Sequence, residues 1–243
     1  EPMMDHNTYK VFQYIIDHPK DDLHLNITSN MCPPDKKLKT KYFNMLQTIC
    51  MQEKVEHVMQ FVSVDAWAKQ AEYIRFGLDF NRMWDNVDEF LDRIPQRNSV
   101  TFIITYNNLS VVSMRKLLEG ILELRKRHSK TYQRVWFDIP LLRQPEWQQI
   151  TMLPEAYQQI HKDNIEYMRQ NSGEVNGLHI FKDFEIQKMQ RNLAYWRENA
   201  DASTQNKKNF YAFFNEHDRR RNTNFLNIFP EMEEFWQECK NTN

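Results

Sequence analysis

The segment "HVMQFVSVDAWAKQAEYIR", residues 57–75, decides the fold class of this chain. Its first half is a nearly continuous apolar run of β character that ends on Ser63 and Asp65. A helix-like run follows at once, with Arg75 near its end. A buried strand that leads into a helix is the unit of a parallel sheet, because parallel neighbours need a crossover of about a dozen residues or more. The segment therefore predicts an α/β fold.

The same unit recurs over residues 1–140. Three further apolar runs predict strands, in "DLHLNITSN", "SVTFIITYN" and "QRVWFDIP". Helical patterns alternate with them, in "NTYKVFQYIIDHP", "KLKTKYFNMLQTICMQ", "WDNVDEFLDRIP" and "SVVSMRKLLEGILELRKRH". Four strands are too few to close an eight-stranded (β/α) barrel, so we expect either an open sheet or a partial parallel barrel.

The pattern changes after Pro145, where helical runs joined by polar turns replace the strands. The helical runs are "LPEAYQQIHKDNIEYMRQN", "FKDFEIQKMQRNLAYWRE", "KKNFYAFFNEHDRRR" and "MEEFWQECK", and the turns include "NSGEVNG" and "ENADASTQN". We therefore predict two regions: a parallel α/β region over residues 1–144 and an α-helical C-terminal region over residues 145–243.

The composition excludes several classes of protein. Of the 243 residues, 41% are hydrophobic and 13% aromatic, which is enough to bury a sizeable core. The formal net charge of -1 argues against a global attraction to nucleic acid or to an anionic membrane. No apolar run approaches the roughly 18 residues of a membrane span, so we expect no membrane partner and a cytoplasmic location. With 4 glycines, the chain has neither a GxGxxG nor a GxxxxGK[ST] phosphate loop.

The candidate ligand-binding residues follow the predicted strands. In parallel α/β folds ligands bind beyond the carboxyl ends of the strands, where loops and helix N-termini converge. The residues at these places are Ser29, Asn30, Ser63, Asp65, Asn107, Asn108 and residues 138–142. Their hydrogen-bonding groups suit a polar small molecule with hydroxyls and a zwitterion. The same residue types are preferred helix N-caps, so capping is the alternative role for each of them.

Arg75 is a candidate of a different kind, because its guanidinium offers a fork of donors for a carboxylate. Its alternative role is that of a surface helix residue that pairs with Glu72 or Asp79. A second basic spot is "HDRRR", residues 217–221, which lies near several aromatic residues. We favour a helix C-terminus over a nucleic-acid site for this spot, because the aromatic residues recur at helical spacing.

The run "SVDAWAKQAEYIRFGLDFNRMWDNVDEFL" resembles the middle of radical S-adenosylmethionine (SAM) enzymes, specifically the twitch-domain-containing radical SAM proteins. "EPMMD" looks like the tail of that family's Gly-Gly-Glu-Pro motif, and "LNITSNMCPP" is similar to its strand ending in Thr-Asn. The likeness extends to "RVWFDIPLLRQPEWQQITMLP" and to "FNEHDRRRNTNFLNIFPEMEEFW". It implies a partial, TIM-like (β/α) barrel of the radical SAM type over residues 1–144, and a helical, twitch-like region over residues 145–243.

The resemblance also implies roles for single residues in binding SAM. Glu1 matches the glutamate that binds the amino group of the methionine half, and Arg75 matches the arginine that pairs with the cofactor carboxylate. Ser63 matches a hydroxyl near the ribose and the methionine, with Asp65 beside it.

Further cofactor-binding roles fall on the other strand ends. Ser29 and Asn30 match the strand that approaches the ribose, Asn107 ends the family's sixth strand, and backbone at residues 140–142 would flank the adenine. The resemblance assigns no catalytic residue and no metal ligand within this chain.

The family's Cys-x-x-x-Cys-x-x-Cys motif is absent from this sequence. Cys32, Cys50 and Cys239 do not replace it, because three ligands of one [4Fe–4S] cluster must come from one short loop. We expect these three thiols to be reduced, and we expect no auxiliary cluster. The cluster is expected only with a segment upstream of Glu1, so the chain is interpreted as a C-terminal fragment that is inactive alone.

These observations predict part of a radical SAM enzyme. The intact enzyme would cleave SAM at a [4Fe–4S] cluster and generate a 5′-deoxyadenosyl radical that abstracts hydrogen from an unidentified small molecule or peptide. One alternative is a non-catalytic α/β module that binds a nucleotide or SAM without a cluster. A weaker alternative is an ordinary barrel enzyme with Asp65 as general base. The sequence carries no indication of oligomeric state.

Overall fold

The four predicted apolar runs form four strands that lie side by side in chain order and all run parallel. The strands are β1 (Lys20–Ser29), β2 (Val55–Ser63), β3 (Ser99–Ile103) and β4 (Val135–Asp138). The computed structural model describes residues 1–173, 177–200 and 203–242. The predicted α/β class is therefore confirmed, with a four-stranded sheet in the order β1-β2-β3-β4.

The α-helices alternate with the strands and then continue alone. They are α1 (His6–Asp17), α2 (Lys36–Met51), α3 (Ala68–Ile74), α4 (Phe80–Arg93), α5 (Met114–His128), α6 (Ala156–Gln170), α7 (Asp183–Glu198), α8 (Thr204–Arg221), α9 (Phe225–Ile228) and α10 (Glu233–Asn241). Residues 174–176 and 201–202, in the predicted turns "NSGEVNG" and "ENADASTQN", lie outside the described residues. None of the helices in the described ranges is both long and apolar enough to cross a membrane.

Aspartate side chains determine where three of the helices begin. The carboxylates of Asp5, Asp35 and Asp79 precede α1, α2 and α4, and each accepts a hydrogen bond from a backbone N–H of the first turn. Such a cap contributes about 1 kcal/mol to helix stability. Because Asp79 caps α4, this helix begins before Trp84, where the predicted run "WDNVDEFLDRIP" starts. Helix α1 ends before Pro19, as predicted.

The two faces of the sheet differ in how far they are covered. On β2, Val58, Gln60 and Val62 are buried, and the hydroxyl of Tyr42 in α2 donates to Gln60 Oε1 at 2.7 Å. Successive side chains of a strand point to opposite faces. Ser63 therefore lies on the other face of β2, where the side chains are only half-buried.

A buried ion pair joins the sheet region to the helices that follow it. Arg125 of α5 and Glu185 of α7 are both fully buried, and Arg125 Nη2 lies 2.5 Å from Glu185 Oε1. Arg125 Nε also donates to the carbonyl of Val135 in β4 at 2.8 Å, and Nη1 donates to the carbonyl of Ile180 at 2.7 Å. The guanidinium of Arg125 in α5 therefore contacts both β4 and the start of α7.

Another buried contact crosses between the two regions at His161 of α6. Its Nε2 lies 2.9 Å from the carbonyl of Met189, so Nε2 carries the proton and donates it. Nδ1 therefore accepts the hydrogen bond from the hydroxyl of Tyr106, at 2.7 Å. Burial lowers the pKa of His161 from 6.5 to about 4, and the imidazole is neutral at neutral pH.

We expect Arg125→Met to lower the free energy of unfolding by about 3–5 kcal/mol, because the charge of Glu185 would stay buried without its partner. Arg125→Met combined with Glu185→Leu should cost clearly less than the sum of the two single changes. Urea denaturation of the four proteins measures this difference. Arg219→Met, in an exposed pair with Glu216, is the control and should leave stability close to wild type. If the double variant loses as much free energy of unfolding as the two single variants together, Arg125 and Glu185 do not interact as a coupled pair.

The neutral His161 predicts a specific pH dependence of stability. Above pH 6.5 the imidazole is neutral in both states, whereas between pH 6.5 and about 4 only the unfolded chain binds the proton. Stability is lost as the pH falls through this window, by up to about 3 kcal/mol. The difference in stability between wild type and His161→Gln should therefore narrow from pH 7 to pH 5 in urea denaturation. If the stability difference between wild type and His161→Gln does not change with pH, His161 is not held in its neutral form by the fold.

Candidate functional site

The register of the sheet brings the carboxyl ends of its strands into one row. Ser29 pairs with Val62, Ser63 pairs with Ile103, and Ile103 pairs with Asp138. Neighbouring strands lie about 4.8 Å apart, and paired residues of parallel strands share a face, so the Ser29 side chain lies on the face of Val62 and the Ser63 side chain on the opposite face. This row, called the carboxyl edge below, is the candidate functional site.

At the end of β1 three of the predicted residues come together around one carboxylate. Ser29 Oγ donates to Glu1 Oε1, and the backbone N–H of Asn30 donates to Glu1 Oε2 at 3.0 Å. Ser29 is buried, while Glu1 is exposed. The Asn30 side chain accepts from the backbone N–H of Cys32 at 2.9 Å and so shapes the turn after the strand. The Glu1 carboxylate is therefore held in place with part of its surface in solvent.

At the end of β2 a second group forms around Asp65, which is 6% exposed. Arg75 donates to it twice, from Nε to Oδ2 at 2.8 Å and from Nη2 to Oδ1 at 3.1 Å. The backbone N–H of Thr105, just beyond β3, donates to Oδ1 at 2.9 Å. The Asp65 carboxylate thus joins the exits of two neighbouring strands and orients a guanidinium at their edge.

Arg75 keeps donors that face away from Asp65. Its side chain is 32% exposed, and Nη1 has no hydrogen-bond partner among the described residues. The alternative surface pairs do not form, because Glu72 pairs with Lys69 and the Asp79 carboxylate lies near Arg82. A planar guanidinium held on one side and open on the other can bind a carboxylate.

Ser63 and Asn107, the remaining predicted residues, differ in how their side chains are used. Ser63 is half-buried, and its hydroxyl has no hydrogen-bond partner within the described ranges. Asn107 is buried, and its Oδ1 accepts from the backbone N–H groups of Leu109 and Ser110 at 2.9 and 3.2 Å. The Asn107 side chain therefore shapes its own loop, whereas the Ser63 hydroxyl is free for a ligand.

The structure adds two contacts that no sequence pattern indicated, one at the end of β4 and one between α3 and α8. Lys188 of α7 lies 2.7 Å from Asp138 Oδ1, at the end of β4. The hydroxyl of Tyr73 in α3 donates to Asp218 Oδ1 of α8 at 2.8 Å, and burial, followed by Asp218, raises the Tyr73 pKa. The chain separation of the second pair is 145 residues. Local periodicity carries no signal for contacts at this separation.

The "HDRRR" spot lies in the last turn of α8, as predicted. Arg219 and Arg220 both pair with Glu216, and the Arg221 guanidinium lies 4.4 Å from the centre of the Phe76 ring. Basic residues at a helix C-terminus interact favourably with the helix dipole. Each of the three arginines therefore has a local partner at the end of α8.

The described residues offer no cluster-binding or metal-binding group. The three cysteines are free and buried, and burial raises the pKa of Cys50 and of Cys239 to about 12. Within the described ranges there is no group of three or more His, Cys, Asp or Glu side chains that could hold a metal ion. The Cys32 thiol accepts from Arg82 Nε at 3.3 Å and has a structural partner.

The ends of β1 and β2 offer the Glu1 carboxylate and the Ser63 hydroxyl, and Asp65, just beyond β2, holds the Arg75 guanidinium. These groups match an amino group, a hydroxyl and a carboxylate of a ligand. Among the described residues, no hydrogen bond joins the Glu1 group to the Asp65 group. No family model, curated protein or solved structure matches the chain. Any assignment of function therefore rests on the residues and geometry of this chain.

We expect Asp65→Asn to lower the free energy of unfolding by about 1–3 kcal/mol, because charge-assisted hydrogen bonds of a buried carboxylate are lost. The Nε–H signal of Arg75 should also move toward that of a solvated arginine in the NMR spectrum. Asp79→Asn is the matched control, since asparagine caps a helix as well as aspartate does. An unchanged Arg75 signal in Asp65→Asn would show that Asp65 does not orient the guanidinium.

Proposed function

We propose that this chain binds SAM at the carboxyl edge, as the C-terminal part of a radical SAM enzyme. In this proposal the sheet belongs to a partial, TIM-like (β/α) barrel of the radical SAM type, and the helices from α6 onward form the twitch-like region. The intact enzyme would act on a small-molecule or peptide substrate. The observation that carries the proposal is that Glu1 and Ser63 lie at the ends of the adjacent strands β1 and β2, while Asp65, just beyond β2, holds the Arg75 guanidinium.

Each half of the cofactor's zwitterion has a fitting group. The Glu1 carboxylate accepts from Ser29 and Asn30 and retains further lone pairs for an ammonium group. The free Nη1 side of Arg75 would take the carboxylate, and Asp65 acts as a positioning residue that holds the guanidinium. The Ser63 hydroxyl and the Asn30 amide would serve the ribose. Opposite charges at a partly buried edge favour a ligand that carries both signs.

A [4Fe–4S] cluster does not fit the residues of this chain. Its three cysteines are separate and buried, and no metal-binding group exists in the part of the chain that the structure describes. Glu1, Ser63 and Arg75 would hold SAM, which would supply the carbon radical for hydrogen abstraction in an intact radical SAM enzyme. The role proposed for these residues is to bind and orient the cofactor.

The same observation favours a second candidate function, a non-catalytic module that binds SAM or a nucleotide without redox chemistry. Anaerobic reconstitution of the full-length gene product with iron and sulfide separates the two. Formation of 5′-deoxyadenosine from SAM supports the enzyme. Binding of SAM without this product supports the module.

Isothermal titration calorimetry of the chain with SAM tests the binding site. We expect Arg75→Lys to weaken binding about tenfold, because lysine keeps the charge beside Asp65 but lacks the planar fork. Ser63→Ala should weaken it by roughly threefold to tenfold, the effect of one hydrogen bond. Arg219→Lys, on the exposed last turn of α8, is the matched control and should bind like wild type.

Methionine and adenosine, each titrated alone, show which half of the ligand the edge holds. We expect Arg75→Lys to weaken the binding of methionine and to leave the binding of adenosine unchanged. The proposal is overturned if the wild-type chain gives no saturable heat with SAM, or if Arg75→Lys binds SAM as tightly as wild type does.

A further inference from the structure

A groove of about 950 Å³ lies between α1 and α2, and none of its lining residues belongs to the carboxyl edge. Its floor includes the half-buried side chains of Ile16 and Met45, which pack against the core. Its rim carries the exposed lysines Lys36, Lys37 and Lys41. The groove is open to solvent along its length. An apolar centre with a polar rim is a common composition of a protein docking surface.

The groove carries a net positive charge, because three lysines and one aspartate line it. Within the described part of the chain, Lys36, Lys37 and Lys41 form no ion pair, although Lys41 Nζ lies 4.2 Å from the centre of the Tyr9 ring. Asp35, the carboxylate that lines the groove, accepts from a backbone N–H as the cap of α2. A partner surface that carries carboxylates would therefore meet unpaired cations here.

The position of Lys36 and Lys37 is unfavourable for the stability of α2 itself. Both lie in its first turn, where no acidic residue is present. The N-terminus of a helix carries a partial positive charge, so two cations there repel the helix dipole. Helix stability does not account for these lysines, and a negatively charged partner would.

The shape of the groove fits a helix better than a small molecule. Ligand pockets enclose most of a small molecule's surface, whereas this groove is open. Its lining on α2 runs from Lys36 to Thr48, which corresponds to about 18 Å, or roughly three turns of helix. Two packed helices present ridges and grooves that accept a third helix along their length.

We propose that the groove between α1 and α2 is a docking site for an acidic amphipathic helix of a partner protein. The apolar face of that helix contacts Ile16 and Met45, and its carboxylates lie against Lys36, Lys37 and Lys41. The proposal is independent of SAM binding, because none of these residues belongs to the carboxyl edge.

The probe is a fluorescein-labelled synthetic peptide of about 18 residues, long enough to form a helix. It carries leucine at helical spacing along one face and glutamate on both flanks, and a second peptide replaces every glutamate by lysine. Fluorescence anisotropy measures the affinity of each peptide for the full chain. We expect the glutamate peptide to bind wild type at least about tenfold more tightly than the lysine peptide does.

The decisive variant is Lys36→Glu combined with Lys37→Glu. It should weaken binding of the glutamate peptide about tenfold or more and tighten binding of the lysine peptide. The two substitutions favour the dipole of α2, so the variant should fold. The matched control is Lys208→Glu combined with Lys240→Glu, which changes the net charge equally at exposed positions of α8 and α10. Met45→Glu should also weaken binding of the glutamate peptide.

Three results would each overturn the proposal. The first is that the glutamate peptide shows no saturable binding to wild type. The second is that the groove variant and the control variant weaken its binding equally. The third is that the lysine peptide binds the groove variant no more tightly than it binds wild type. Equal weakening would mean that the peptide responds to net charge and not to the groove.

Discussion

All four strands run parallel, and this constraint determines where the polar groups of the molecule meet. Each strand must return through a crossover, so helices alternate with strands and every strand ends at the same edge. Ser63, Ile103 and Asp138 pair in register as a result, and Ser29 pairs one residue earlier, with Val62. On β2 the pleat then divides the side chains between a buried face and a half-buried face. The backbone therefore sets the position of the Ser63 hydroxyl, which has no hydrogen-bond partner among the described residues.

The carboxylate of Asp65 converts that row of strand ends into a rigid edge. It is nearly buried and accepts three hydrogen bonds, two from Arg75 and one from the backbone of Thr105. A buried carboxylate needs such partners, because removal from water is costly without them. The same bonds leave the outer side of the guanidinium open. One residue thus links β2 to β3 and presents a cation that would bind a ligand carboxylate.

The C-terminal helices are attached to the sheet by specific buried contacts and not by apolar packing alone. Arg125 and Glu185 form a fully buried pair between α5 and α7, and neutral His161 connects Tyr106 to α7. Helix α8 reaches α3 through Asp218 and Tyr73. Because these contacts are directional, they set the position of the helices relative to the carboxyl edge, and Lys188 reaches Asp138 there.

The sequence by itself determined the order of strands and helices, the parallel α/β class and the residues at the strand ends. These follow from local causes: apolar periodicity, the aspartate caps and the stop before Pro19 all act within a few residues. Only the tertiary structure decided which polar groups meet. Asp65 accepts a hydrogen bond from Thr105, 40 residues away in the chain, and Arg125 donates one to Glu185, 60 residues away. Such partners are chosen by how helices pack against the sheet, and no local pattern encodes that packing.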